Sequence, residues 1–180
     1  LTGIYNVEYS IGSGESGGIN NPEYLKNLNK FEDWLNDQPE VVHVNAFSEV
    51  VRRVNRSMHG DDESYYRVPT SREEAAQYLL LYELSLPFGL DLNNQINVDK
   101  SETRFVVTVD NITATELIEL SQQGENWLSD HGIKGESNIG ISTAIMFAYL
   151  TQRQIYSMAE GGIWAIILIS IVLMLSFRSF

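Results

Sequence analysis

The stretch GGIWAIILISIVLMLSF, residues Gly161 to Phe177, carries no charge between Glu160 and Arg178. A helix needs roughly 17–25 apolar residues to cross the hydrocarbon core of a bilayer. Near-continuous Ile, Leu, Val and Met leave no polar stripe with which such a helix would face water. The sequence therefore predicts a transmembrane helix over residues 161–177, with Gly161 and Trp164 at one boundary and Arg178 at the other. Arg178 favours a cytoplasmic position for that end.

Other interpretations of this segment fit less well. It lies too late in the chain for a secretory signal peptide, and it lacks the polar spacer that precedes the apolar tail of a GPI signal. The remaining alternative is a core helix of a soluble protein, since 17 residues is the lower limit for spanning a bilayer.

The composition limits what the preceding residues can do. About 155 residues are enough for one domain with its own core, or for two very small domains. The formal charge of −12 argues against nucleic acid or an anionic lipid surface as a partner. The chain has no cysteine, which excludes thiol catalysis, disulfides and thiolate metal sites.

Alternation of apolar and polar residues predicts three strands, and a fourth is predicted over Asn138–Ile141. The three lie at Tyr5–Ile11, Val41–Ala46 and Arg104–Val109.

Helix start signals lie between these strands. Asn21 with Pro22 predicts the start of a helix whose apolar face is Leu25, Leu28, Phe31 and Leu35. Further starts are predicted at Ser48, at a Ser71–Glu74 capping box and at a Thr113–Glu116 capping box. An apolar-rich helix from Thr143 leads into the predicted span.

The order of these elements predicts an α+β fold. Without the helices between the second and third strands, the order is βαββαβ, the ferredoxin-like arrangement with helices on one face of an antiparallel sheet. The helical insertion covers about residues 47–90.

The Gly/Ser segment after the first strand matches two motifs whose context is wrong. Gly12–Gly17 fits the dinucleotide fingerprint GxGxxG, but four more residues precede the helix that would hold the pyrophosphate. Gly14–Gly18 fits GxSxG around Ser16, but no α/β-hydrolase strand series surrounds it. We interpret the segment as a flexible glycine loop.

Other candidate sites are also weak. Asp61, Asp62 and Glu63 lack the spacing of an EF-hand calcium loop, and His43, His59 and His131 form no zinc motif. We expect no catalytic residue, no cofactor and no metal. The run from Tyr78 to Tyr82 is apolar nearly all round, which indicates core packing or contact with another domain, or alternatively a wall of a hydrophobic substrate path.

Three segments carry a resemblance to a known family. They are VNRSMHGDDESYYRVPTSREEAAQYLLLYELS from Val54, LDLNNQINVDKSETRFVVTV from Leu90, and IMFAYLTQRQIYSMAEGGIWAIILISIVLMLSFRSF from Ile145. Together they resemble the large extracytoplasmic domain and following span of resistance-nodulation-division (RND) exporters. The similarity is to the MMPL-like branch, the predicted exporters of lipids and other hydrophobes, and to the second of its two large loops.

This resemblance implies proton-driven export across a bacterial inner membrane. It implies a periplasmic porter-like domain over residues 1–145, and a connecting helix and membrane segment over residues 146–180, with residues up to about 157 on the periplasmic side. The implied partners are the other membrane and periplasmic parts of the transporter, the lipid bilayer and a hydrophobic cargo; an oligomer of identical chains is possible. No substrate-binding position follows from it.

Two other functions remain open from the sequence. One is an extracytoplasmic sensor domain of a membrane-anchored receptor. The other is a membrane-anchored hydrolase that uses Ser16.

Overall fold

The computed structural model describes residues 5–87, 92–133 and 139–177. They form a mixed α/β domain with a three-stranded antiparallel sheet, followed by one long apolar helix. The elements, in chain order, are β1 (Tyr5–Gly12), α1 (Pro22–Asn36), β2 (Val41–Asn45), α2 (Phe47–Met58), α3 (Arg72–Ser85), β3 (Glu102–Val109), α4 (Ala114–Asp130) and α5 (Thr143–Phe177). Short 3₁₀ helices lie at Gly18–Asn20 and Glu63–Tyr65.

The sheet has the order β1-β3-β2, so β3 is central and both neighbours run antiparallel to it. The alternation that predicted the strands also sets the two faces. Val7 and Tyr9 of β1 lie beside Val107 and Phe105 of β3 on the buried face. The other face is polar, where Arg104 donates to Glu8 at 2.6 and 3.0 Å. The prediction of a sheet with one less buried face is confirmed.

Helices α1 and α4 cover the buried face of the sheet. Phe31 of α1 is the centre of an aromatic cluster, with ring centroids 5.5 Å from Tyr9, 5.1 Å from Phe105 and 5.1 Å from Trp127 of α4. The predicted apolar face of α1 is fully buried. The core therefore lies between one sheet face and two helices.

The helices between β2 and β3 form a separate layer beside α1. Asn55 of α2 is buried and links the layer together: its Nδ2 donates to the Arg67 carbonyl at 2.8 Å, and its Oδ1 accepts from the Tyr78 hydroxyl of α3 at 3.1 Å. This is the predicted helical insertion.

The local start signals were predicted with mixed success. Asn21 accepts from the Glu23 amide, and the Thr113–Glu116 capping box is present, as predicted. Ser48 is not a cap: α2 begins one residue earlier, after Ala46. The Ser48 hydroxyl is buried and donates to the Glu32 carboxylate at 2.9 Å. This contact replaces the cap hydrogen bond that we predicted between the Ser48 side chain and a backbone amide of α2.

The second capping box is only half formed. Ser71 accepts from the Glu74 amide at 3.1 Å, as a cap should. The Glu74 carboxylate accepts from the Thr70 amide and from the Tyr78 hydroxyl instead of from the Ser71 amide. The neighbouring tyrosine and the preceding amide compete for the carboxylate that the motif would use.

The predicted fourth strand is wrong within the described residues. Asn138 lies outside them, and the residues that follow make one isolated antiparallel bridge, in which Ile141 and Glu8 exchange bonds of 2.9 and 2.7 Å. Helix α5 begins two residues later at Thr143, which prevents further pairs on the C-terminal side of Ile141.

Candidate membrane helix and apolar groove

Helix α5 is anchored to the domain at its first turns. Ser142 caps it by accepting from the Ile145 amide at 3.0 Å. Ile145 and Ala148 are buried, and Gln122 of α4 donates to the Tyr149 hydroxyl at 3.3 Å. The helix that was predicted to start at Thr143 therefore begins as part of the domain's core.

The helix then leaves the domain and runs on without a break. It has 35 residues, which corresponds to about 52 Å at about 1.5 Å per residue. The residues from 153 to 177 are all exposed. No other heavy atom lies near the position of a Cβ at Gly161 or Gly162, and Trp164 is 64% exposed. Of the predicted boundaries, Arg178 lies outside the described residues.

By its length and composition, the exposed part of helix α5 could cross a membrane. None of its most apolar window is buried against the domain, so the structure gives no support to a soluble core helix. The Ser170 hydroxyl donates to the Ile166 carbonyl at 2.8 Å. This internal bond satisfies the hydroxyl without water, as a hydrocarbon environment requires.

A second apolar surface lies between α2 and α3. It is a cavity of about 390 Å³, of the size that binds small molecules, which is roughly 300–1,000 Å³. Its walls are apolar side chains with a few polar groups at the edge: Val50, Arg53, Val54, Ser57, Met58, Leu81, Tyr82 and Ser85. We call it the α2–α3 groove.

Helix α3 forms one wall of this groove and has apolar residues on every side. Tyr78 and Leu79 are buried in the core. Leu80 and Leu81 are exposed, and Leu84 is 75% exposed. The interpretation of the run as core packing therefore holds for one side of the helix only. The exposed side leaves an apolar surface without a partner among the described residues.

The Gly/Ser loop is held in place by its neighbours. Ser13 donates through both its amide and its hydroxyl to the Ser101 carbonyl, each at 2.7 Å. The Gly17 amide and the Ser16 hydroxyl both donate to the Asp99 carbonyl. The loop amides and Ser16 are thus used to join two segments, a structural role that differs from the flexible loop we expected.

The acidic loop and the histidines also have structural contacts. Asp62 accepts from the Ser64 amide at 2.9 Å, and Glu63 pairs with Arg56 at 2.8 Å. The rings of His59 and His131 stack on neighbouring aromatic rings at 3.7 Å between centroids. Within the described ranges, no three His, Asp or Glu side chains are grouped so as to hold a metal ion.

One buried ion pair was not predicted. Glu32 interrupts the apolar face of α1 and is buried, where it accepts from Arg52 at 2.5 Å and from Ser48 at 2.9 Å. Burial raises the pKa of Glu32 above its usual value, although Arg52 and Ser48 act in the opposite direction. The signal available in the sequence was a carboxylate one residue after Phe31, on a face that is otherwise apolar.

Comparisons of the chain with models of protein families, with curated proteins and with solved structures give no match. The function of this chain is therefore inferred from its own geometry and from the resemblance in its sequence.

Proposed function

We propose that this chain is a periplasmic porter domain of an RND-type exporter of the MMPL-like branch, joined to the membrane by α5. The observation that carries the proposal is the 35-residue helix, which is packed in the domain at one end and fully exposed and apolar at the other. Such a helix places an acidic domain outside a bilayer and a hydrophobic segment within it.

The sheet topology supports the ferredoxin-like part of the proposal. The segment at Ile141 pairs with the free edge of β1, which gives the order Ile141 segment, β1, β3, β2, with every pair antiparallel. A βαββαβ sheet has the same order; here the described residues supply three strands and one isolated bridge at the fourth position. Two helices, α1 and α4, cover one face, as that arrangement requires.

The α2–α3 groove supports the cargo that we propose. An apolar cavity beside exposed Leu81 and Leu84 offers a lipid-like or amphiphilic molecule a place to bury its apolar part. The domain would enclose this cargo against other parts of the transporter and release it outward as the membrane part cycles. The chain itself would supply binding and movement, and proton coupling would come from membrane helices elsewhere in the protein.

A labelling experiment tests the orientation. Because the chain has no cysteine, Ser64→Cys and Ser170→Cys each introduce a single thiol. Both serines are exposed in the structure, so they differ only in the environment that we propose. In cells with a permeabilised outer membrane, a membrane-impermeant maleimide should react with Ser64→Cys, and with Ser170→Cys only after detergent is added. Equal reactivity of the two thiols before detergent would contradict the membrane assignment.

A transport experiment tests the function. In the complete polypeptide that contains this chain, Leu81→Arg places a charge in the groove and should reduce the efflux of a fluorescent hydrophobe. The matched control is Val98→Arg, which adds the same charge at a residue that is 93% exposed and is not part of the groove lining. Efflux that is unaffected by Leu81→Arg, or reduced equally by the control, would refute a role of the groove in transport.

A sensor domain remains the second candidate, and one observation favours it. The unbroken helix from Ile145 to the membrane segment is a rigid connection through which a ligand in the domain would move the span. The two candidates differ in the complete polypeptide. A sensor continues after this span into a cytoplasmic signalling helix, whereas an exporter continues into further hydrophobic spans.

A further inference from the structure

A second cavity lies on the opposite side of α2 from the groove. It has a volume of about 390 Å³ and lies between α1, α2 and the loop after the Glu63–Tyr65 turn. It is lined by Lys26, Asn29, Lys30, Arg52, Tyr66, Arg67 and Val68. The described residues that line it include four cations and no carboxylate, in a chain whose formal charge is −12. We call it the basic cavity.

The charges of this cavity are only partly neutralised. Arg52 is paired with Glu32, and Lys26 with Glu23 at 2.9 Å, but the second pair is exposed and weak. Lys30 and Arg67 have no ion pair within 4 Å in the described part of the chain. Two positive charges therefore remain available to an anion.

Arg52 is held in position by two neighbouring groups. Glu32 fixes one nitrogen of its guanidinium group, and the Tyr66 ring lies 4.9 Å from the guanidinium carbon. Arg56 Cζ lies 5.3 Å from the centroid of the same ring, which adds a further positive charge near Arg52. Arg52 Nε is buried without a hydrogen-bond partner in the described structure, so its charge is incompletely satisfied. This fixed guanidinium raises the local potential without moving when a ligand arrives.

The remaining wall of the basic cavity is apolar. The Tyr66 ring, Val68 and the methylene stems of the lysines offer an apolar surface next to the charged groups. A simple inorganic anion would leave this surface unused. We propose that the basic cavity binds a small monocarboxylate with a short apolar chain, whose head contacts Lys30 and Arg67 and whose chain lies along Tyr66 and Val68. This site is separate from the α2–α3 groove and does not depend on the proposed transport function.

Hexanoate is a suitable probe. The full chain in nanodiscs of uncharged phosphatidylcholine is titrated with sodium hexanoate by calorimetry at constant ionic strength. We expect saturable one-site binding with a Kd of about 1 mM or tighter. Hexanamide has the same shape without the charge, and acetate has the charge without the chain. Both should bind more weakly than hexanoate by about tenfold.

The decisive variant is Lys30→Gln with Arg67→Gln. Both side chains are exposed, so the fold should be unaffected. This variant should weaken hexanoate binding by about tenfold, or about 1.4 kcal/mol. The matched control is Arg72→Gln with Arg153→Gln, which removes two exposed charges outside both the basic cavity and the α2–α3 groove and should change the Kd by less than about twofold. The charge-conserving variant, Lys30→Arg with Arg67→Lys, should retain binding.

Three results would overturn the proposal. The first is the absence of saturable hexanoate binding in the wild type. The second is an equal loss in the control variant, which would show a general charge effect. The third is equal binding of hexanamide, which would show that only the apolar wall is recognised.

Discussion

Replacing Gly124 with alanine probes the closest contact between α4 and the sheet. Gly124 is buried on α4 opposite Tyr9 of β1. A Cβ at this position would lie 2.6 Å from the Tyr9 hydroxyl oxygen and 3.2 Å from Cζ. Tyr9 is 1% exposed and its ring meets Phe31 edge-on at 5.5 Å, so it has little room to move away. The new methyl group therefore has to displace either the ring or the helix.

The expected size of the effect follows from two opposed contributions. Alanine in place of glycine in a helix interior contributes about 1 kcal/mol of stability. Overpacking of a filled core costs about 1–3 kcal/mol. The contact at 2.6 Å is 0.8 Å shorter than the 3.4 Å at which ordinary contact begins, so we expect the overpacking to exceed the helix gain. Gly124→Ala should lower the free energy of unfolding by about 1 kcal/mol.

Tyr9→Phe removes the clashing oxygen and isolates this contact. In that background Gly124→Ala should be neutral or stabilising, with a coupling free energy of about 1–2 kcal/mol between the two positions. Urea unfolding of the full chain in a non-ionic detergent would be followed by the fluorescence of Trp34 and Trp127, which stack near Phe31. Gln123→Ala, at an exposed site of the same helix, is the control. Stabilisation by Gly124→Ala in the wild type, without coupling to Tyr9, would refute the packing argument.

Three further substitutions have defined outcomes. Ile169→Arg, at the middle of the proposed span, should raise the free energy of membrane insertion by about 3–4 kcal/mol. A glycosylation insertion assay measures this change, with Ile169→Leu as the control. Equal insertion of the two variants would contradict a bilayer location. Thr113→Ala removes the cap of α4 and should cost about 1 kcal/mol in urea unfolding, whereas Thr113→Ser should not. The raised pKa of Glu32 in the folded state predicts a pH-dependent difference in stability between the wild type and Glu32→Gln. As pH rises from the ordinary glutamate pKa to the raised one, Glu32 ionises in the unfolded state before it ionises in the folded state. The free energy of unfolding of the wild type should therefore fall over this pH range relative to that of Glu32→Gln. A pH-independent difference between these two proteins would show that Glu32 titrates normally.

The periodic elements could be predicted from the sequence because each depends on local information. The alternation in β1 and β3, the Asn21 and Thr113 caps and the length of α5 all appear in the structure. These signals arise within one strand, one turn or one helix. They do not require knowledge of what lies on the other side of the core.

The errors arose where tertiary contacts competed with a local signal. Ser48 has the right chemistry for a cap, but its hydroxyl is buried against Glu32 on another helix. The segment ending at Ile141 has strand-like residues, but the start of α5 limits its pairing. Neither the contact of Ser48 with Glu32 nor the effect of α5 on strand pairing can be inferred from the neighbouring residues in the sequence.

The apolar helix and the two cavities also differ in whether the sequence could predict them. The long apolar helix could be predicted because one continuous segment forms it. The α2–α3 groove and the basic cavity could not, because their linings come from separated parts of the chain. The Tyr78–Tyr82 run of helix α3 is apolar nearly all round, so its sequence contained no indication of which side of this run would be exposed.

The free part of α5 between the domain and the span acts as a stalk with a fixed length and angle. Residues 151–160 are almost entirely exposed and cover about 15 Å at about 1.5 Å per residue. In the membrane arrangement that we propose, this stalk would hold the domain clear of the lipid headgroups and leave a water-filled gap beneath it. Because each residue turns a helix by about 100°, inserting or deleting one residue here would rotate the groove about the axis of α5, relative to the apolar segment, without altering any contact inside the domain.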